Sequence, residues 1–155
     1  MRTQRRGKAI AMTREELDEF LAVERTCRAA TITAAGHPHV SPLWFVWDGE
    51  AIWLHSIVKS QRFTDVGRNP RVAVVIDTGD TFDQLRGVEI TGTAEVVGDI
   101  PRSPSHVDDD LARAESLFAR KFLGQDQFSS DGRHAWLRVR ADKITSWDYR
   151  KLRRS

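Results

Sequence analysis

Residues 55–77 read HSIVKSQRFTDVGRNPRVAVVID, and this stretch predicts a strand, a short helix and a second strand. An apolar run ends at Ile57, residues 60–68 form the helical segment, and Asn69 and Pro70 break the chain before the strand at 71–77. Cationic and hydroxyl side chains stand where the helix begins. Because a helix start already carries unpaired N–H groups and the positive end of the macrodipole, added cations do not stabilise it. The pattern instead predicts a site for a negatively charged ligand.

The residues before this stretch predict three antiparallel strands. Asp48 and Gly49 form a strong two-residue hairpin signal between the second and third strands. In the first strand, the alternating residues expected to face the core are Ala30, Ile32 and Ala34. The predicted strands span residues 28–34, 39–47 and 51–56.

Two longer helices flank the strands. Thr13 and Glu16 form a capping box, and the first helix is expected to end near Glu24. Ser105 is predicted to cap the second helix, and Gly124 to end it. The apolar stripe of the first helix is Leu17, Phe20, Leu21 and Val23, and that of the second is Val107, Leu111, Ala114, Phe118 and Phe122. Further strands are predicted at 88–97 and 136–140.

The whole chain is predicted to form one barrel domain. It has 155 residues, of which 40% are hydrophobic and 30% charged, as in ordinary globular proteins. We expect a flexible basic tail at 1–11, the domain at 12–150 and a short basic tail at 151–155. Several hairpin-linked strands with few helices predict a mainly β (α+β) fold, a small barrel or sandwich with short helices outside.

Composition also argues against several functions. The net charge is only +2 and the basic residues are dispersed among acidic ones, which argues against nucleic-acid binding. No apolar run reaches the length of a membrane span, and the N-terminus lacks the features of a signal peptide. A single cysteine, Cys27, is typical of a cytoplasmic protein. His37, His39 and His55 lack a third ligand at diagnostic spacing, which argues against a metal site.

Three segments in order carry a family resemblance: TITAAGHPHVSPLW (31–44), KSQRFTDVGRNPRVAVVID (59–77) and RGVEITGTAEVV (86–97). Their order and spacing resemble the split β-barrel flavoproteins of the pyridoxamine 5'-phosphate oxidase-like superfamily. The likeness is greatest to the flavin/deazaflavin oxidoreductases that use coenzyme F-420 in actinobacteria. It covers roughly residues 12–151 and implies an antiparallel split barrel that forms a homodimer.

The resemblance implies a set of cofactor-binding residues. In the family, basic and hydroxyl side chains just after the third strand hold the phosphate of FMN or of the F-420 tail, and the backbone of the second strand faces the tricyclic ring. The loop before RGVEITG reaches the cofactor of the partner subunit. The matching residues are Ser41, Pro42, Leu43, Trp44, Ser56, Lys59, Ser60, Gln61 and Arg62, with Leu85 and Arg86 in the loop. Trp47 and Trp53 are interpreted as residues of the core and of dimer packing. The last segment, SWDYRKL, contacts the partner subunit or covers the cleft, or Trp147 is simply an aromatic residue that anchors this segment.

The sequence therefore predicts an F-420-dependent oxidoreductase that transfers a hydride between its cofactor and an unsaturated small molecule. An FMN-dependent oxidoreductase remains open, and so does a protein that binds a flavin or deazaflavin without turnover. Pyridoxamine-phosphate oxidase activity is disfavoured, because the chain is short and its sequence shows no clear second cluster of basic residues dedicated to a substrate phosphate. No side chain is identified as the proton donor.

Overall fold

The computed structural model, which describes residues 1–5, 7–105 and 108–154, contains a closed six-stranded antiparallel barrel and three α-helices. The strands are Thr26–Ile32 (β1), Pro38–Trp47 (β2), Ala51–Ile57 (β3), Arg71–Thr78 (β4), Arg86–Val97 (β5) and His134–Asp148 (β6). The helices are Arg14–Val23 (α1), Gln61–Arg68 (α2) and Asp109–Phe118 (α3); α3 continues into a π-helical turn at Ala119–Leu123, and short 3-10 helices form at Lys8–Ile10, Phe82–Gln84 and Tyr149–Arg154. Around the barrel the order is β1-β2-β3-β6-β5-β4. The mainly β prediction is confirmed, whereas the homodimer stays a prediction.

Local signals fixed the ends of several elements as expected. The Thr13 hydroxyl accepts the Glu16 N–H at 3.2 Å, and the Glu16 carboxylate accepts the Thr13 N–H at 2.8 Å, so the capping box is present. In the β2–β3 hairpin the Asp48 carboxylate accepts the N–H groups of Glu50 and Ala51. Side-chain acceptors thus satisfy backbone donors that neither the helix nor the ladder can satisfy.

Apolar side chains form two clusters, one inside the barrel and one on its outer face. The interior cluster includes Phe45, Ile52, Leu54, Val74, Ile76, Val88, Ile90 and Leu137. The outer cluster lies where α3 packs on the barrel and includes Val46, Trp53, Leu111, Ala114, Phe118 and Trp136. Trp47 and Trp53 are buried, as predicted, and their indole N–H groups donate to Asp18 and Asp48. The barrel wall is therefore covered on both faces beside α3.

The predicted inward face of β1 was wrong. Cys27, Ala29 and Thr31 are buried, whereas Ala30 and Ile32 are only half-buried on the other face. Both faces carry small or apolar residues, so alternation alone does not fix the direction. The buried Thr31 hydroxyl is satisfied by donating to Asp65 of α2 at 2.8 Å, a contact that the local sequence does not reveal.

Helices α1 and α3 each depart from their prediction in one respect. Val23, placed in the buried stripe of α1, is 69% exposed at its last turn. Ser105 does not cap α3: Asp108 is the N-cap and accepts the Leu111 N–H at 2.9 Å, whereas the Ser105 hydroxyl donates to Asp99. A carboxylate is the stronger acceptor at a positive helix start. The predicted stripe residue Val107 lies outside the described residues.

Two strands are longer than predicted by more than one residue. β6 runs from His134 to Asp148, far beyond the predicted 136–140. It is this long because residues 134–140 pair with β3 and residues 136–148 pair with β5. β5 begins at Arg86, which was expected in the preceding loop. Trp147, from the segment expected to contact a partner or cover the cleft, lies in β6 directly against Gly87.

Residues near the N-terminus contact the end of the barrel. Arg2 forms a bridge with Lys143, and the Gln4 side-chain amide exchanges hydrogen bonds with the backbone of Ser146. The division of the chain into 1–11, 12–150 and 151–155 stays a prediction. Within the described part of the chain, no helix has both the length and the apolar character needed to cross a membrane.

Candidate cofactor site at the split between two strands

Strands β2 and β3 separate along part of their length. They pair only between Phe45 and Leu54 and over the next two pairs toward the hairpin. Before Phe45, β2 pairs with β1, and after Leu54, β3 pairs with β6. The two facing edges beyond this point therefore form a split in the barrel wall. Helix α2 packs against β1, β2 and β3 beside it.

Arg62 bridges the split from α2. Its side chain is buried, with the residue only 8% exposed. The guanidinium donates from Nη1 to the Ser41 hydroxyl of β2 at 2.5 Å and from Nε to the Ser56 hydroxyl of β3 at 3.2 Å. The Ser60 hydroxyl lies 3.4 Å from that of Ser56 and also accepts the Phe63 N–H, which caps α2. Four predicted cofactor residues, Ser41, Ser56, Ser60 and Arg62, thus form one polar group.

No carboxylate in the described part of the chain balances the charge of Arg62. The neighbouring buried carboxylate, Asp65, instead accepts hydrogen bonds from Thr31, Gln61 and Arg68. Burial raises the pKa of the Cys27 thiol to about 12, so this nearby group is neutral. Burial also lowers the pKa of Arg62, as expected for a cation removed from water without a counter-charge. A buried arginine bonded only to hydroxyl groups can receive an anion such as phosphate, which a guanidinium binds through two parallel hydrogen bonds.

The structure distributes the other predicted residues around this group. Lys59 is exposed in the turn before α2, and Gln61 is exposed at the first position of α2. On β2, Leu43 is half-buried, whereas Pro42 and Trp44 face outward. β2 has only β1 as a neighbour at Pro42, so a residue without an N–H is tolerated there.

Leu85 and Arg86 do not join the Arg62 group within one chain. Arg86 pairs with Thr78 of β4 and Asp148 of β6, and its guanidinium lies 5.4 Å from the centre of the Phe20 ring. It lines a separate, mainly acidic cleft beside α1 with residues that include Glu16, Glu19 and Asp148. A role for Leu85 and Arg86 at a partner's cofactor stays a prediction.

Another cleft, the aromatic cleft, opens at the β2–β3 split on the outer face of the barrel. It encloses about 430 Å³ and is lined by Leu43, Trp44, His55, Phe118, Leu123, Phe128, Ser129, Asp131 and His134. Trp44 is 46% exposed, and one face of its ring stacks on Phe122 at 4.4 Å. β2 and β3 thus supply residues to the Arg62 group and also to this aromatic cleft.

Sequence reasoning missed a cluster of two histidines and one aspartate in the aromatic cleft. His134 Nδ1 lies 2.6 Å from the Asp131 carboxylate, which also accepts the N–H groups of Arg133 and His134. The His55 ring stacks on the His134 ring, with centres 4.2 Å apart and planes 15° apart. His55 is 79 residues from His134, so no periodic pattern in the sequence connects the two histidines. The Asp131–His134 contact did have a local signal, because DGRH (131–134) places an aspartate three residues before a histidine at the start of a strand.

The environment sets the protonation of this cluster. Burial, followed by the nearby His134, lowers the pKa of His55 to about 4. Burial would raise the pKa of Asp131, but the hydrogen bonds from Arg133 and His134 outweigh it and hold the pKa at about 2. His55 is therefore neutral and Asp131 ionised near neutral pH. Buried Nε2 of His55 has no hydrogen-bond partner among the residues that the structure describes.

The side-chain nitrogens and oxygens of His55, Asp131 and His134 lie within 4.8 Å of one another, which is close enough to consider a metal ion. The ring planes are nearly parallel, however, and the lone pair of an imidazole lies in its plane. The two lone pairs therefore do not converge on one point, as the ligands of a tetrahedral zinc ion must.

Comparisons with known proteins agree with the split barrel. The family model described as pyridoxamine 5'-phosphate oxidase matches residues 13–148. A reductase of 5a,11a-dehydrotetracycline and 5a,11a-dehydrooxytetracycline from Streptomyces rimosus is 34% identical over 102 residues, which cover 61% of this chain and 71% of that protein.

Solved structures give the same picture. The conserved hypothetical protein Rv2991 of Mycobacterium tuberculosis superposes with a TM-score of 0.78 at 31% identity, covering 96% of this chain and 92% of that one. A structure named F420 reductase shares the fold, with a TM-score of 0.60 and 22% identity over 82% of this chain and 94% of that one. The family match spans almost the whole barrel, and this chain therefore belongs to the pyridoxamine 5'-phosphate oxidase family.

Proposed function

We propose that the chain is an oxidoreductase that binds the deazaflavin coenzyme F-420 at the β2–β3 split and transfers a hydride between it and an unsaturated small molecule. One observation carries the proposal: Arg62 is buried, lacks a carboxylate partner in the described part of the chain and points its donors toward serine hydroxyls of both strands. The names of two similar proteins, a dehydrotetracycline reductase and an F420 reductase, support the reaction class.

Each residue of the group has a distinct part in binding. Arg62 would hold a phosphate of the cofactor, and Ser41, Ser56 and Ser60 would donate their hydroxyl groups to its oxygens. Lys59, exposed in the turn before α2, can add a further positive charge. Leu43 and Trp44 offer apolar surface beside the polar group, which suits a tricyclic ring. When bound, the deazaflavin supplies two-electron hydride chemistry, and the chain's contribution is to orient the reactants and exclude water.

FMN is the second candidate, because its phosphate would meet the same arginine and hydroxyl groups. A protein that binds either cofactor without turnover uses the same residues again. Oxidation of the bound, reduced cofactor by an acceptor distinguishes an enzyme from a carrier. A carrier binds the reduced cofactor tightly, and no acceptor in a broad panel oxidises it.

We further propose a homodimer in which Leu85 and Arg86 of one protomer approach the cofactor of its partner. Both residues lie away from the Arg62 group of their own chain. Light scattering after size-exclusion chromatography measures the mass, and Arg86→Ala is expected to weaken cofactor binding in a dimer. A monomer that binds F-420 fully would contradict this arrangement.

The test is fluorescence-monitored binding of F-420 and of FMN, side by side, to protein purified without cofactor. We expect F-420 to bind at micromolar concentration or tighter and FMN to bind much more weakly. Replacing Lys59 and Arg62 together with alanine should weaken binding at least about tenfold, since a hydrogen bond to a charged group contributes roughly 1.5–3 kcal/mol. Unchanged affinity in this double variant would place the phosphate elsewhere, and a preference for FMN would assign the flavin chemistry instead.

A further inference from the structure

The aromatic cleft differs chemically from the Arg62 group on the other face of the split. Its walls are largely ring faces and aliphatic side chains, and none of its lining residues is lysine or arginine. Its volume of about 430 Å³ lies within the range of small-molecule sites. A phosphate inside it would meet the ionised Asp131. The nearby Arg25 guanidinium lies outside the lining, over the rings of Phe122 and Trp44 at 4.8 and 6.0 Å from their centres. The cleft therefore favours a neutral, largely apolar ligand.

The shape of the walls favours a flat ligand. Phe128 and Phe118 meet at 78°, and the His55 ring is within 5.2 Å of both ring centres. Trp44 stacks on Phe122 through one face at the mouth. Aromatic rings arranged in this way contact the face and the edges of a planar conjugated molecule, whereas a puckered saturated ring meets fewer of them.

One polar group in the cleft is held in a defined orientation. The Asp131 carboxylate engages Nδ1 of His134 at 2.6 Å and is itself fixed by two backbone N–H groups. Nε2 of His134 is therefore the ring nitrogen that remains for a ligand. A carboxylate behind an imidazole fixes its ring orientation, as in many catalytic and metal-binding histidines.

We propose that this cleft binds a planar, conjugated small molecule through its ring face, with Nε2 of His134 accepting a hydrogen bond from a hydroxyl group of the ligand, because Nδ1 carries the ring proton that it donates to the Asp131 carboxylate. Asp131 is a positioning residue that acts through His134. Leu43 and Trp44 of β2 and His55 of β3 place the cleft on the same split as the Arg62 group. The identification of this ligand as the hydride acceptor rests on the proposed function, whereas the binding itself does not.

The experiment uses the full chain purified without cofactor and three bicyclic probes titrated by ligand-observed NMR. 2-Naphthol is planar and has a hydroxyl group, naphthalene is planar without oxygen, and decahydro-2-naphthol has the hydroxyl group on puckered rings. We expect 2-naphthol to bind most tightly. In His134→Phe, which keeps an aromatic ring on His55, we expect 2-naphthol to bind about three- to tenfold more weakly and naphthalene to be unchanged.

Two controls locate the effect. His37→Phe removes an exposed histidine from the turn before β2 and should leave all three affinities unchanged. Asp131→Asn keeps the side-chain shape, so it serves if His134→Phe fails to fold. It should weaken 2-naphthol binding and leave naphthalene binding unchanged, a pattern that general damage to the cleft would not produce.

Three results would overturn the proposal: equal binding of 2-naphthol to the wild type and to His134→Phe, equal binding of decahydro-2-naphthol and 2-naphthol, or stoichiometric Zn²⁺ binding that displaces 2-naphthol and is lost in His134→Phe. The outcome is separable from the cofactor. Intact F-420 binding without 2-naphthol binding contradicts only this inference, whereas 2-naphthol binding without F-420 binding contradicts only the proposed function.

Discussion

Replacement of Arg62 by methionine distinguishes a functional arginine from a structural one. A buried ion without a counter-charge costs several kcal/mol, and methionine of similar length removes that cost. The change also removes the hydrogen bonds from the charged Arg62 to Ser41 and Ser56, each of which contributes roughly 1.5–3 kcal/mol. These terms oppose each other, so we expect the free energy of unfolding without ligand to stay within about 1 kcal/mol of the wild type.

The same substitution should nearly abolish stabilisation by the cofactor. At free F-420 one hundredfold above its dissociation constant, the wild type should gain about 2.7 kcal/mol. Loss of two charge-assisted hydrogen bonds weakens binding by about 3 kcal/mol, roughly 150-fold, and the gain then falls to about 0.3 kcal/mol. An arginine retained for anion binding predicts this combination of unchanged intrinsic stability and lost ligand response.

The assay is urea denaturation followed by circular dichroism, with and without F-420. Arg71→Met is the matched control, because it removes the same charge from an exposed position at the start of β4. It should keep the full ligand response. A loss of about 3 kcal/mol or more in ligand-free Arg62→Met, or an undiminished response to F-420, would refute the reasoning and make Arg62 a structural bridge between the strands.

Three further predictions concern stability and are measured by the same denaturation experiment. A Cβ at Gly92 would overlap the Arg140 carbonyl at the β-bulge in β5, so Gly92→Ala should prevent stable folding. Gly67→Ala, on the open surface of α2, should instead stabilise the protein by about 0.5–1 kcal/mol. Similar stabilities of the two variants would contradict this packing. Glu115→Ala removes the carboxylate that lies 2.6 Å from the mostly buried Arg102 and also accepts the Trp136 indole N–H, while Asp99 stays 3.8 Å from Arg102. It should cost about 3 kcal/mol, and a cost below about 1 kcal/mol would show the pair to be well solvated. The pKa of His55 is lowered from 6.5 to about 4 by burial, so between these pH values the unfolded chain binds a proton that the folded chain does not. Stability should fall by roughly 3 kcal/mol as the pH drops through this window, and a slope unchanged in His55→Gln would assign the loss to other groups.

Sequence reasoning succeeded where the physical cause is local. The Asp48 hairpin and the Thr13 capping box both depend on side chains that bond backbone groups within three residues. The succession of strands along the chain followed from such local signals, whereas their order around the barrel was not predicted.

Where the cause is not local, the sequence left the answer open or misplaced it. The inward face of β1 depends on Thr31 meeting Asp65, 34 residues away, and the length of β6 depends on pairing with two strands that lie elsewhere in the chain. Arg86 illustrates the same limit: the loop length did not reveal that β5 already begins there.

For the candidate site, the residue types in the sequence were informative, whereas the sequence did not show which of these residues are buried. A lysine, a serine and an arginine before a helix predicted anion binding, but they did not indicate which cation would be exposed. Lys59 faces solvent and can be balanced by water and salt, whereas Arg62 is buried between two strands. Only the second arrangement leaves a charge that solvent does not compensate.

The split itself accounts for the pairing of two unlike binding surfaces. A continuous β2–β3 ladder would fill this part of the wall with backbone hydrogen bonds and leave no opening. Where the ladder stops, Arg62 bonds a serine on each strand from one face, and α3 with the following turn covers aromatic residues on the other. A charged cofactor group and a flat neutral molecule can then approach one opening through different chemistry. Neither surface has to accommodate the polarity that the other requires.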